Sequence, residues 1–268
     1  MTAVTVPVRP AEGASLRPLP WRRMAWVSWR HHRIALGGVA VFLGALAVWL
    51  WIAGTSLHHA YAAAAACHPA SSAACQNLIA GFQSTNVILK GGFVLQPVPA
   101  LIGAFVGGPM LAREIETGTF RYAWTQGFGR WRWTLAKLVL LGVAVTAIAG
   151  AFSVLVSWYY QSYLAPGRLY DPASALAHWL FDLRGVAFAA WTLAAFAIGA
   201  LAGLLIRRVV PAIVATLAGY TVLALVAGDI LRADYQPASH FWLVQGMAGG
   251  GLVALSVLLI AATVAVGK

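Results

Sequence analysis

The stretch MLAREIETGTFRYAWTQGFGRWRWTLAK, residues 110–137, is a polar island between two long apolar runs. It carries Glu114 and Glu116, two of the chain's 7 acidic residues, with five bases: Arg113, Arg121, Arg130, Arg132 and Lys137. The run before it reads as a helix up to Met110 and Leu111. Gly118 is placed to stop that helix, because a left-handed terminal residue suits glycine. Thr117 or Thr119 then caps a short helix over residues 120–126. Gly127 and Gly129 end it, and Trp131 and Trp133 fall where a next span would enter the headgroups. The stretch predicts a span, a short surface helix and a second span.

The rest of the chain agrees with that reading. Of its 268 residues 61% are hydrophobic and 9% charged, against about a quarter charged in soluble domains. Six apolar stretches approach the ~20 residues that cross a bilayer, at about 34–53, 92–111, 134–158, 185–206, 211–230 and 244–266. The expected fold is therefore an all-α polytopic membrane protein with six transmembrane helices. The 12 Trp and 8 Tyr suit a protein with two interfaces to anchor.

A net charge of +11 would suggest nucleic acid in a soluble chain. Its distribution points elsewhere. With the amino terminus in the cytosol, fourteen of the 18 Lys and Arg gather on the cytosolic side. Only Lys90, Arg168, Arg184 and Arg232 fall outside. That is a positive-inside bias, and nucleic-acid binding is set aside. Both termini are expected in the cytosol of a multi-pass protein of the cytoplasmic membrane.

Residues 1–20 hold Pro7, Pro10, Pro18 and Pro20 with few large apolar side chains, which predicts a disordered cytosolic tail. No cleavable signal peptide is evident, since the first apolar run starts only at Ile34. Between them WRRMAWVSWRHHR, residues 21–33, places Trp26 and Trp29 on one helical face with Arg22, Arg30 and Arg33. That mixture suits an interfacial helix, with indoles in the headgroup layer and guanidinium groups on lipid phosphates. Membrane lipid is thus an expected partner of Trp26, Trp29, Arg30 and Arg33.

Residues 55–89 read as an outer loop holding the only 2 cysteines, Cys67 and Cys75. An oxidising exterior would let them close a disulfide; two free thiols are the alternative. Neither they nor His58, His59 and His68 have zinc-finger spacing, so no metal is expected. The second span contains Pro97, Pro99, Gly103, Gly107, Gly108 and Pro109, which predicts a bent helix closely approached by its neighbours. Asp229 and Arg232 read as a boundary salt bridge. The chain has no G-x-x-x-x-G-K-[ST], no G-x-S-x-G and no H-E-x-x-H. No catalytic residue and no cofactor of its own are expected, so energy for any transport would come from another subunit.

Three segments carry a resemblance. Glu116-Thr-Gly-Thr-Phe-Arg121 with Trp124-Thr-Gln126 and Arg130-x-Arg-Trp133 resembles the loop between spans two and three of actinobacterial ABC-2 type permeases. Residues 25–33 are similar to that family's elbow helix, with His31 in place of Gln. Tyr235-Gln-Pro-Ala-Ser-His-Phe-Trp242 is similar to its stretch before span six, with His240 where Arg is common. The resemblance implies an ABCG-like exporter: an elbow helix at 21–33, a six-span domain over 34–268, and a coupling helix between spans two and three. It assigns coupling to Arg113, Glu114, Glu116, Gly118, Thr119, Arg121, Trp124 and Gln126, with the two glutamates meeting bases of a separate ABC ATP-binding subunit. ATP and Mg would sit on that partner, and a second copy or a related permease would complete a dimer. The alternatives are a membrane scaffold, a sensory or immunity component, or a polytopic enzyme using the outer His and Cys residues.

Overall fold

The computed structural model describes residues 21–69, 71–84, 95–118, 130–164, 182–232 and 241–266. Among the described residues the regular structure is entirely helical. Helix α1 runs Trp21–Ala66, α2 Ala73–Ser84, α3 Val98–Glu116, α4 Arg130–Tyr159 and α5 Gln161–Leu164. Helix α6 spans Gly185–Ile206, α7 Val209–Arg232 and α8 Phe241–Val266. Six of these, α1, α3, α4, α6, α7 and α8, are long and apolar enough to cross a membrane.

Helix α1 differs from the sequence expectation in two ways. Residues 21–33 do not form a separate segment, because one 46-residue helix runs through them into the span. Nothing between Trp21 and Ile34 breaks a helix, since the stretch has neither glycine nor proline. The helix also continues past Ala53 to Ala66, carried by the run Ala62–Ala66, alanine being the strongest helix former. At 1.5 Å per residue it is about 70 Å long, well beyond the ~30 Å of hydrocarbon.

One seam holds α1 to the bundle. Leu36, Leu43, Leu50, Leu57 and Ala64 are buried at every seventh position, and Val39, Leu46, Ala53 and Ala60 lie between them, partly buried. A seven-residue apolar repeat is the signature of left-handed coiled-coil packing. Helix α4 packs against α1 and α6 together, with Leu138, Leu141, Val145, Ala149, Phe152, Val156 and Tyr159 buried at steps of three and four, and beyond Leu57 Tyr61 of α1 meets Phe82 of α2. Midway along the seam Trp51 stacks on Trp158, at the end of α4, with centroids 4.8 Å apart. Gly54 makes room there, since a Cβ would run into the Trp158 indole.

Helix α6 is the centre. It packs against α3, α4, α7 and α8, and Ala194, Ala195, Phe196, Ala197 and Ala200 have no exposed surface. Lipid gives no hydrophobic drive for helices to associate, so close van der Waals fit has to do it. Against α3 the fit is backbone to backbone. A Cβ on Gly103 would lie 2.5 Å from the Ala195 carbonyl, one on Gly107 2.5 Å from Phe196 O, and one on Gly199 2.5 Å from Gly103 O.

The same stretch of α3 contains a π-helical turn, Gly103–Gly107, with Gly108 N–H donating to the Gly103 carbonyl. Pro109 explains its place. Proline lacks the N–H that would serve residue 105 and its ring crowds that carbonyl, and a wider turn relieves both. The expected bend in this span is thus a π-bulge ahead of Pro109.

Candidate functional site

The end of α3 that begins the polar island is tied to two other spans. Lys137, about two turns into α4 and only 3% exposed, forms an ion pair with Glu114. Its Nζ also donates to the Met110 carbonyl at 3.5 Å. Glu114 and Met110 are four residues apart, so they present neighbouring acceptors on one face of α3. A lone ammonium in a span is expensive. Here two acceptors from one helix turn offset that cost.

The second tie runs to α7. Glu116 Oε2 accepts a hydrogen bond from the Val209 backbone N–H at 3.2 Å. Val209 opens α7, and the first N–H groups of a helix have no partner within it. A carboxylate there satisfies a donor and suits the positive end of the helix dipole. The turn before it is shaped by Arg207, which takes a left-handed φ of 60° and donates its N–H to Gly203 O at 3.1 Å. Arg207 and Arg208 are both exposed.

Helix α3 itself ends cleanly. Thr117 N–H and its hydroxyl both donate to the Arg113 carbonyl, at 3.0 and 2.7 Å. Gly118 follows at φ 70°, a conformation glycine adopts freely. The Arg113 side chain is exposed. Thr119, Arg121, Trp124 and Gln126, with the expected short helix over 120–126, lie outside the described residues.

The other expected residues lie elsewhere. Arg30 places its guanidinium carbon 5.3 Å from the Trp26 ring centroid, a cation–π contact, and Trp26, Arg30 and Arg33 are exposed. The Trp29 side chain falls outside the described residues, as do the Asp229 and Arg232 side chains and residues 235–240. Cys67 and Cys75 form a disulfide with Cα atoms 5.6 Å apart, joining the end of α1 to α2. It lies at the end of α1 away from the polar ties. About two and a half turns earlier on α1, His58 Nδ1 is 3.1 Å from Ser162 Oγ.

Some contacts at that far end have no counterpart in the sequence reading. Trp191 Nε1–H donates to Asp182 Oδ1 at 3.1 Å, and Ser153 Oγ–H donates to the Gly185 carbonyl at 2.6 Å. Arg184, just before α6, is partly buried, and that desolvation lowers its pKa from the usual arginine value. Lys137 appears in the sequence only as one charge of a loop. The signal was its place inside an apolar run, where a lysine needs a carboxylate.

Both glutamates of the polar island therefore have partners within the chain, where the resemblance assigned them to bases of another protein. The arrangement can pass a displacement at the end of α3 to α4 and α7. Six membrane-length helices packed about α6, with Glu114–Lys137 and Glu116–Val209 tied at one end, make this a multi-pass membrane protein. The family described as ABC-2 membrane transporter related matches residues 40–232, and the chain belongs to it. It is an ABC transporter permease, a transport subunit of the membrane and not itself catalytic, and membership implies an ABC ATP-binding partner. No curated protein and no solved structure matches the chain.

Proposed function

We propose that this chain is the permease subunit of an exporter that moves an amphipathic or hydrophobic substrate outward across the cytoplasmic membrane. Hydrolysis of ATP with Mg in a separate subunit drives it, and a second copy or a related permease completes the pathway. ATP binding closes the partner subunits, residues 114–126 are pushed as a lever, and the spans rearrange to open outward. The family match carries this reading, and the position of the polar ties at the end of α3 supports it.

Two features support the orientation. The bases crowd at the ends of α3, α6 and the beginnings of α1 and α4, as the positive-inside rule requires of a cytosolic face. The Cys67–Cys75 disulfide lies at the opposite end of α1, and disulfides persist on the oxidising side. The amino terminus of α1 is then cytosolic, and Trp26, Arg30 and Arg33 meet lipid headgroups on that side.

Since Glu114 and Glu116 are engaged within the chain, Arg113 and residues 119–126 are the groups offered to the ATP-binding subunit. Flux tests the reading. In inside-out vesicles holding the assembled complex, at least one of a panel of amphipathic fluorescent dyes should accumulate, needing ATP and Mg. An assembled complex that moves none of them in an ATP-dependent way overturns it.

A further inference from the structure

We propose that Lys137 is a positioning residue for coupling. It makes α3, α4 and α1 one rigid body at the end where the ATP-binding subunit pushes. This rests on the proposed function above and names the part of the bundle that receives the stroke.

The argument begins with what Lys137 costs. It is 3% exposed near the start of a span, and burying an ammonium is costly unless it is paired and hydrogen-bonded. Buried ion pairs replaced by well-packed neutral side chains are often as stable or more so. Holding α4 against α3 by stability alone would therefore favour a leucine or methionine.

What the pair adds is direction. Apolar side chains slide past one another, but Lys137 Nζ engages the Glu114 carboxylate and the Met110 carbonyl together. These acceptors are a helical turn apart on α3, so translation along α3 and rotation about it both break a contact. Pinned there, the start of α4 must follow the end of α3. Helix α4 is joined in turn to α1, against which it packs and on which Trp158 stacks at Trp51, so a push on α3 is carried by three spans.

The second tie has a different character. Glu116 and Val209 meet at the exposed surface through one hydrogen bond, which water can replace. Helix α7 is held to α3 chiefly by packing instead: a Cβ on Gly108 would lie 3.6 Å from Ile213 N and Thr216 Oγ1, and Ala212 and Thr216 are fully buried. Helix α7 thus follows α3 by packing alone, whereas α4, and α1 with it, is brought into the same body by the Lys137 contacts.

The test uses the chain purified with its ATP-binding subunit in nanodiscs, comparing wild type with Glu114→Gln/Lys137→Met, Lys137→Glu, Glu114→Lys and the swap Glu114→Lys/Lys137→Glu. The readouts are melting temperature, complex formation and stimulated ATP hydrolysis per assembled complex. The neutral pair should melt within a few degrees of wild type and assemble, yet lose at least fivefold of the stimulation. The single reversals should lose it too, and the swap should recover half or more. A neutral pair that stimulates as wild type, or that no longer folds, makes Lys137 a structural residue and overturns the proposal. So does a folded, assembled swap without recovery. Absence of stimulation by wild type would instead overturn the proposed function itself.

Discussion

Glu116 reaches across 93 residues of sequence to accept the Val209 N–H at 3.2 Å, so the last turn of one span caps the first turn of another. Glu116→Ala removes the acceptor and should cost about 1 kcal/mol, the usual value of a lost helix cap. For a domain this large that lowers the melting temperature by about 2–4 °C. Glu116→Gln keeps an acceptor oxygen and should lose less than half as much. Thermal unfolding of the two variants in detergent checks this, and equal losses would remove the cap from the account.

The backbone contact between α3 and α6 is the least forgiving place in the bundle. A Cβ on Gly199 would meet Gly103 O at 2.5 Å and Gly108 N at 2.8 Å, both backbone atoms that cannot turn aside. Gly199→Ala should therefore destabilise by about 1–3 kcal/mol or more, although alanine is the better helix former. Gly250→Ala, with nothing within 4 Å of its Cβ, should be harmless. The yield of monodisperse protein on size exclusion separates the two, and equal yields would argue against the close approach.

The Cys67–Cys75 disulfide closes a loop across a sequence separation of 8. A cross-link of that span is worth about 2.5 kcal/mol on the chain-entropy account. Peptide mapping should recover residues 67 and 75 as one linked fragment. In intact cells a membrane-impermeant maleimide should label both thiols, but only after an impermeant reductant. Labelling that requires cell lysis would reverse the orientation proposed for α1.

Much of the fold is legible in the sequence because a bilayer imposes length and composition on every span. Helix α6, Gly185–Ile206, coincides with the apolar run 185–206, which Gly185 and Arg207 bracket. Helix α1 runs past the apolar stretch 34–53 to Ala66. Trp51 stacks on Trp158 within the bundle, and the alanines carry the helix on. The ties at the end of α3 were the hardest to see. Glu114 and Lys137 are 23 residues apart and on different helices, so no local pattern joins them, and the Val209 partner of Glu116 is a backbone donor that leaves no trace in residue type.

The central claim is that this permease is driven by a separate ATP-binding subunit through the turn after α3. The most direct measurement is to co-express the chain with its candidate ATP-binding subunit, purify through a tag on the chain alone, and measure ATP hydrolysis in the eluate. The account predicts a stable complex whose hydrolysis exceeds that of the isolated ATP-binding subunit several-fold. It also predicts that Arg113→Glu, reversing the exposed charge offered at that turn, weakens the association. A chain that retains no ATP-binding subunit, or one that binds it equally well after Arg113→Glu and without any stimulation, would contradict it.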